Sequence, residues 1–472
     1  MNMMRMSSFV GGLMMCASAM ATLSYTYEND NKTLVATVDT GTNWLQDDQY
    51  QAAMNNNTVT NLVKRGDGAF GFNGTARQFT GDARIEAGRI QLQSTNPLGT
   101  GGSVYIAAAK SLVVGSGNQN EKCVIGKSIV TESAPNNDTW GGARQILVWA
   151  SDITLNGKLF YGWCDTKIRA YQGAKLTFAG GVGDFDAGAG GYPYFQPSGG
   201  ATFVFAGTPY RAAKQFSIQP QITTSWPVDS QGFAGHFVFA VAGNEMNSLG
   251  YSNTNTLICC VEVKTTVDWA FNKSNMTMHF GQDAVWDLCG TEQRVGQFNV
   301  NGSPGNLKVA GNPSVVTNSS ATPATLHMGM IYASGGDSFP NIRFGGNLSV
   351  VFDNNIYDTK IGYPMTATGD LIIKGNGTGD ANLNFLSNGS WVNATNVVVE
   401  GRGKIKIANP NALGKKTHLS LKSNSSLDIS SGVMVTVRTL TVNGEQKTPG
   451  DYTFGSGTLR VTGLPGLSLS IK

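Results

Sequence analysis

The sequence predicts an all-β protein folded as a single solenoid of stacked strands, and three observations carry that expectation. Composition is the first. Charged residues make up 14% of the 472, against roughly 25% in an average soluble protein. Gly alone fills 60 positions, Asn, Ser and Thr are abundant, and long Leu/Glu/Lys/Ala stretches are absent. Such a chain suits many short strands joined by turns, because Gly and Asn accept the backbone angles that tight turns demand. Alternation is the second observation. Short apolar-x-apolar units recur between Gly, Asn or Ser, as at Ile90/Leu92, Val104/Ile106 and Leu112/Val114. Period-two alternation marks strands with one buried face.

The third observation is an internal repeat. Ile405/Ile407, Leu419/Leu421 and Leu427/Ile429 reproduce the spacing of the first three units, 14 residues and then 8, at a constant offset of 315. Asn96 and Asn411, Leu98-Gly99 and Leu413-Gly414, and Ser111 and Ser426 fall at matching places. Met278/Phe280 and Trp286/Leu288 repeat part of the pattern. Repeats that cannot each bury their own face must stack. Solenoid repeats of this kind take ~25 residues per rung. No Pro-rich or Ser-rich linker divides the chain, so one continuous β domain is the simpler organisation. A series of β-sandwiches is the alternative, since those also carry turn signals every ~8–12 residues.

Taken in order, residues 1–21 read as a signal peptide. Arg5 is the one early charge, an apolar stretch runs from Phe9 to Met20, and Ala19-Met20-Ala21 fits the small-x-small cleavage rule, with cleavage after Ala21. The apolar stretch is short of the ~20 residues a spanning helix needs. No later stretch is long enough either, so no membrane-spanning segment is expected in the mature chain. Export to the extracellular space or cell surface follows, with the periplasm as a further destination. Five cysteines then remain, Cys123, Cys164, Cys259, Cys260 and Cys289. An odd count without a C-x-x-C pair argues against a zinc site, and the sequence leaves their disulfide pairing open. Residues 22–462 form the solenoid, with an end near 440–461 that needs a cap because open strand edges template aggregation. Residues 463–472 form a C-terminal tail.

Three stretches resemble a known family. Residues 62–92 resemble the autotransporter-associated β-strand repeat, with a Lys-x-Gly-x-Gly turn at Lys64, Gly66 and Gly68, then Phe79-Thr80-Gly81 and Ala87-Gly88. Residues 286–327 resemble another phrase of that family, an Asp-Leu-x-Gly turn at Asp287–Gly290 followed by Gln293, Val295-Gly296 and Thr317-Asn318. Residues 427–461 resemble the terminal phrase of exported repeat proteins. The three cover about a quarter of the chain, and 120–260 matches less well. The resemblance implies a right-handed parallel β-helix of pectin-lyase-like architecture with an exported surface role. An autotransporter ends in a translocator barrel. Here the repeat runs directly to Leu469-Ser470-Ile471-Lys472, which leaves the export route open.

Chemistry is sparse. The net charge is +3 with no Lys/Arg run, so no nucleic-acid partner is expected. None of His236, His279, His327 and His418 has metal-ligand spacing, and neither a metal nor another cofactor is implied. His279, between Met278 and Phe280, reads as a solvent-facing strand residue. Gly180 to Asp186 compares with calcium-binding nonapeptides, but Phe185 stands where that motif needs Asp. Asp184 and Asp186 can still offer oxygen to a hard cation. Tyr192 and Tyr194, in an aromatic stretch that also holds Phe195, can stack on sugar rings. Asp184, Asp186, Tyr192 and Tyr194 are therefore the binding candidates, and no catalytic residue is assigned. The expected function is a structural or adhesive surface scaffold without catalytic activity, whose partners are extracellular glycans or cell-surface components. The alternative is an extracellular carbohydrate-binding or polysaccharide-degrading β-helix protein.

Overall fold

The computed structural model describes residues 23–464, apart from 31, 46–57, 73–78, 94, 96, 108, 116–121, 133–143, 149–151, 162–165, 172, 185–192, 211–214, 219, 221–227, 247, 250–259, 282, 301–313, 333–341, 354–358, 362–365, 376–380 and 386–393. The described residues contain strands and turns but no helix, and so none long and apolar enough to cross a membrane. The predicted parallel solenoid is present. Its strands stack into three faces that the chain visits in turn.

The first face climbs from Thr33–Val38 through Asn61–Arg65, Ala83–Ile85, Ser103–Ile106 and Ser128–Thr131 to Val182–Asp184. The second starts at Thr42–Leu45, passes through Ala69–Phe72, Arg89–Leu92 and Ser111–Val114, and reaches Met330–Tyr332 through the second half of Glu292–Val300. The first half of that strand pairs instead with Ala324–Met328, which opens a ladder that ends at His418–Leu421 and Thr439–Val442. The third runs from Lys122–Ile125 to Ile342–Phe344, and a separate four-stranded sheet, which begins beside Met330–Tyr332, runs from Thr359–Ile361 to Ser426–Ile429. One turn takes 20 residues between the paired Ala69 and Arg89, and 34 between Ser111 and Gln145. The expected ~25 residues per rung falls inside that range, and the excess is taken up in loops between strands.

Parallel, in-register pairing dictates the core. Every second side chain points inward, so an inward residue in one rung sits on an inward residue in the next. Ile90, Leu112, Ile146, Ile168 and Phe195 form one such column on the second face, each at most 1% exposed. On the third face the column becomes aromatic. Phe178, Phe205 and Phe239 stack with centroids 5.1 and 4.8 Å apart. That aromatic core lies in the 120–260 region, where the family phrases are weakest.

The internal repeat has a direct structural meaning. Ile90 pairs with Leu112, and Ile405 with Leu427, so the spacings of 14 and 8 together span one complete turn. Both Leu98 and Leu413 are buried at corners. In both copies the middle unit lies in a different sheet from the two that flank it: Val104 between Ile90 and Leu112, and Leu419 between Ile405 and Leu427.

Both ends depart from parallel pairing. Leu23–Glu28 folds back antiparallel on Thr33–Val38. At the other end Gly450–Phe454 and Gly457–Val461 form an antiparallel hairpin, and its second strand pairs with Met434–Val437. This hairpin supplies the cap expected near 440–461.

Candidate functional site

Of the four predicted binding residues, Asp186 and Tyr192 lie outside the described residues. Asp184 ends the first-face strand Val182–Asp184, in register with Tyr161. Tyr194 is half-buried in the second-face strand Pro193–Pro197, between Lys167 and Ser217. The two thus stand on different faces. Among the cysteines, Cys164 and Cys259 lie outside the described residues. Burial pushes the thiols of Cys260 and Cys289 up to about 11.

The family-like phrases occupy the corners. Gly66 has φ +73, and a Cβ there would stand 2.3 Å from the Val38 carbonyl oxygen; one on Gly68 would meet Val38 Cγ1 at 2.7 Å. Rungs approach too closely at this corner for any side chain. Lys64 is inward on Asn61–Arg65 and fully buried. Its Nζ donates to the carbonyls of Arg65 at 2.5 Å, Gly66 at 2.6 Å and, one rung on, Ala87 at 3.3 Å. Lys127 repeats the device at another corner, donating to the carbonyls of Phe79, Gly81 and Gly101. Burial pushes both ammonium groups down to about 8. Each cation holds together carbonyls that the corners leave outside the sheet ladders.

The Asp287–Gly290 turn works similarly. The Asp287 carboxylate accepts from the backbone N–H groups of Cys289 and Ser319, both at 3.0 Å, and from Ser319 Oγ at 2.5 Å. Burial raises its pKa, but these hydrogen bonds win and hold it below the ordinary value. Gln293 is fully buried; its Oε1 accepts from Phe271 N at 2.9 Å and its Nε2 donates to Val267 O and Thr291 Oγ1. Asn318 accepts from the N–H groups of Gly290 and Ser320 and donates to the carbonyls of Thr322 and Asn347. These polar side chains spend their hydrogen-bonding capacity on joining one rung to the next.

Two outward clusters were not legible in the sequence. His236 lies beside Glu262 on the third face, with Nδ1 at 2.8 Å from Glu262 Oε2 and Nε2 at 2.8 Å from Asp229 Oδ2; Lys264 reaches the same Glu262 at 3.0 Å. Burial lowers the His236 pKa, but both carboxylates outweigh it and the net shift is upward. On the strand Ala324–Met328 His327 is held by Asp353 at 2.7 Å and Glu292 at 2.8 Å. The Asp353 hydrogen bond chiefly raises its pKa, against burial. Arg294 approaches Asp353 at 3.3 Å and lies 5.9 Å over the Trp269 ring. In sequence the partners are separated by 7 to 35 residues. Only the rung length brings them together.

His279 corrects its sequence reading. It is 4% exposed, not solvent-facing, and burial pushes its pKa down to about 4. The strand Asn272–Phe280 ends in three consecutive buried residues. Alternation fixes where a side chain points; it does not say whether another part of the chain packs over that side.

In both histidine clusters the imidazole itself fills the space between the carboxylates. A glycosidase pair must instead flank its substrate across ~5–9.5 Å. Comparison of the chain with known protein families, with curated proteins and with solved structures finds no match.

Proposed function

We propose that this chain is an exported, non-catalytic β-solenoid scaffold of the cell surface or extracellular space, of the autotransporter-associated repeat type. The observation that carries the reading is the use of polar groups. Lys64, Lys127, Asp287, Gln293 and Asn318 tie rung to rung, and His236 and His327 bridge carboxylates in the same way. A scaffold needs stacking strength along its length, whereas an enzyme needs acids and bases aimed at a vacant cleft. Fold alone does not decide between them.

The test has two arms. N-terminal sequencing of the secreted chain should begin at Thr22, and a hydrolase and lyase screen on acidic and neutral polysaccharides should give no turnover. A cytoplasmic chain that keeps Met1 refutes export. Turnover that Asp184→Ala, Asp186→Ala or Asp353→Asn abolishes refutes the non-catalytic reading.

A further inference from the structure

A groove of about 460 Å³ opens at the corner between the first and second faces. It crosses successive rungs at Thr42, Asp67-Gly68, Arg89 and Lys110-Ser111. Its floor is bare backbone. A Cβ on Gly88 would stand 2.2 Å from the Gly68 carbonyl oxygen, and one on Gly68 would stand 3.0 Å from that of Gly41. The stacking that forbids side chains here also creates the groove.

Its lining carries two cations, Arg89 and Lys110. Several exposed cations elsewhere are engaged with carboxylates: Arg65 with Glu28 and Glu86, Arg84 with Glu132, Lys422 with Glu400, Arg460 with Asp451. Among the described residues, Arg89 and Lys110 form no ion pair. Asp67 is the one carboxylate of the lining. Beneath the corner lies the buried Lys64 ammonium, close enough to feel the charges of Asp67, Asp39 and Lys110. Two cations and one carboxylate thus line a polar trough, with solvent-free Lys64 below.

We propose that this groove binds a linear acidic glycan laid along the solenoid axis. Its carboxylate or sulfate groups meet Arg89 and Lys110, and its hydroxyls meet Thr42 and Ser111. An extended peptide fits less well. Peptides add to sheets through unpaired backbone, and here the amides of Ala69 and Arg89 already donate to the carbonyls of Gly41 and Gly68, at 2.8 and 3.3 Å. The lining offers only Ala69 and Ala109 to apolar side chains. The proposal adds a ligand to the scaffold reading. Its failure would remove the groove assignment and leave the scaffold reading to its own tests.

Binding of polygalacturonate and of heparin to the full chain, measured by titration calorimetry, tests it. Dextran serves as the neutral control and poly-glutamate as the acidic peptide. At least one acidic glycan should bind at about 50 mM salt and weaken as salt rises. The double variant Arg89→Ser/Lys110→Ser should lose roughly tenfold or more in affinity, with unchanged circular dichroism and melting. Asp67→Asn, which removes the one opposing charge, should bind more tightly. No binding of either acidic glycan, equal binding of dextran or poly-glutamate, or unchanged affinity in the double variant would each overturn the proposal.

Discussion

Phe205 stacks on Phe239 with ring centroids 4.8 Å apart and planes inclined by 12°. The two are register partners on neighbouring strands of the third face, so the ~4.8 Å strand spacing sets the ring separation. Phe205 also meets Phe178 in a stack, and Phe195 and Phe216 edge-on. Backbone ladder and aromatic ladder are two expressions of one periodicity.

Phe205→Ala should therefore cost about 3–5 kcal/mol, the usual penalty for emptying an aromatic core position. Solenoid stability is a sum over neighbouring rungs, so the loss should be local. Hydrogen exchange should lose protection first in Lys175–Phe178, Ala201–Phe205 and Gly235–Phe239. Uniform loss across the whole chain would contradict a rung-by-rung core.

The His236 cluster should make stability depend on pH. The His236 pKa lies above its ordinary 6.5, so its contribution is complete below 6.5 and fades as pH rises through the folded value. Asp229 and Glu262 lie below their ordinary 3.8 and 4.5, so their contribution is complete above those values and fades as pH falls further. The cluster is strongest between 4.5 and 6.5. His236→Gln should cost about 1–3 kcal/mol near pH 5.5 and less near pH 8.5. Urea melts at the two pH values check this; equal losses at both would refute it.

Gly88 and Gly432 both have positive φ, +63 and +75, yet they differ in crowding. A Cβ on Gly88 would strike the Gly68 carbonyl, whereas one on Gly432 would meet nothing within 4 Å. Gly432→Ala should cost only the conformational ~1–2 kcal/mol. Gly88→Ala should cost more, because a backbone contact between rungs must open. Thermal melts of the two variants side by side decide the point, and equal penalties would refute the close-approach argument.

Truncation after Lys447 removes the hairpin Gly450–Val461 and leaves Met434–Val437 without its partner strand. It also removes Leu459 and Val461, both buried, each worth roughly 1.5–3 kcal/mol of apolar burial. The exposed edge should promote association. Light scattering should show the truncated chain aggregating under conditions where the full chain stays monodisperse. A monodisperse truncated chain would mean that the hairpin is not a cap.

Some features were legible because their signal is local in the chain. Apolar alternation at 90–92 and 405–407 announces an inward strand face, since a side chain's direction is set by its own backbone. The 14-then-8 spacing announces one full turn, and the Lys-x-Gly-x-Gly and Asp-Leu-x-Gly phrases announce corners. The aromatic ladder of 178–239 escaped the family resemblance because Phe replaces the aliphatic residues while the periodicity stays the same.

The sequence by itself therefore determined the all-β class, the stacking of repeats and the turns between strands. Only the tertiary structure decided which rungs are neighbours. Turn length varies from 20 residues between Ala69 and Arg89 to 34 between Ser111 and Gln145, and no fixed period recovers that register. His236 with Asp229 and Glu262, His327 with Glu292 and Asp353, and Arg89 with Lys110 all depend on it. Alternation says that a side chain faces outward; what it meets there depends on the loop lengths between rungs, because those lengths set which residues stack.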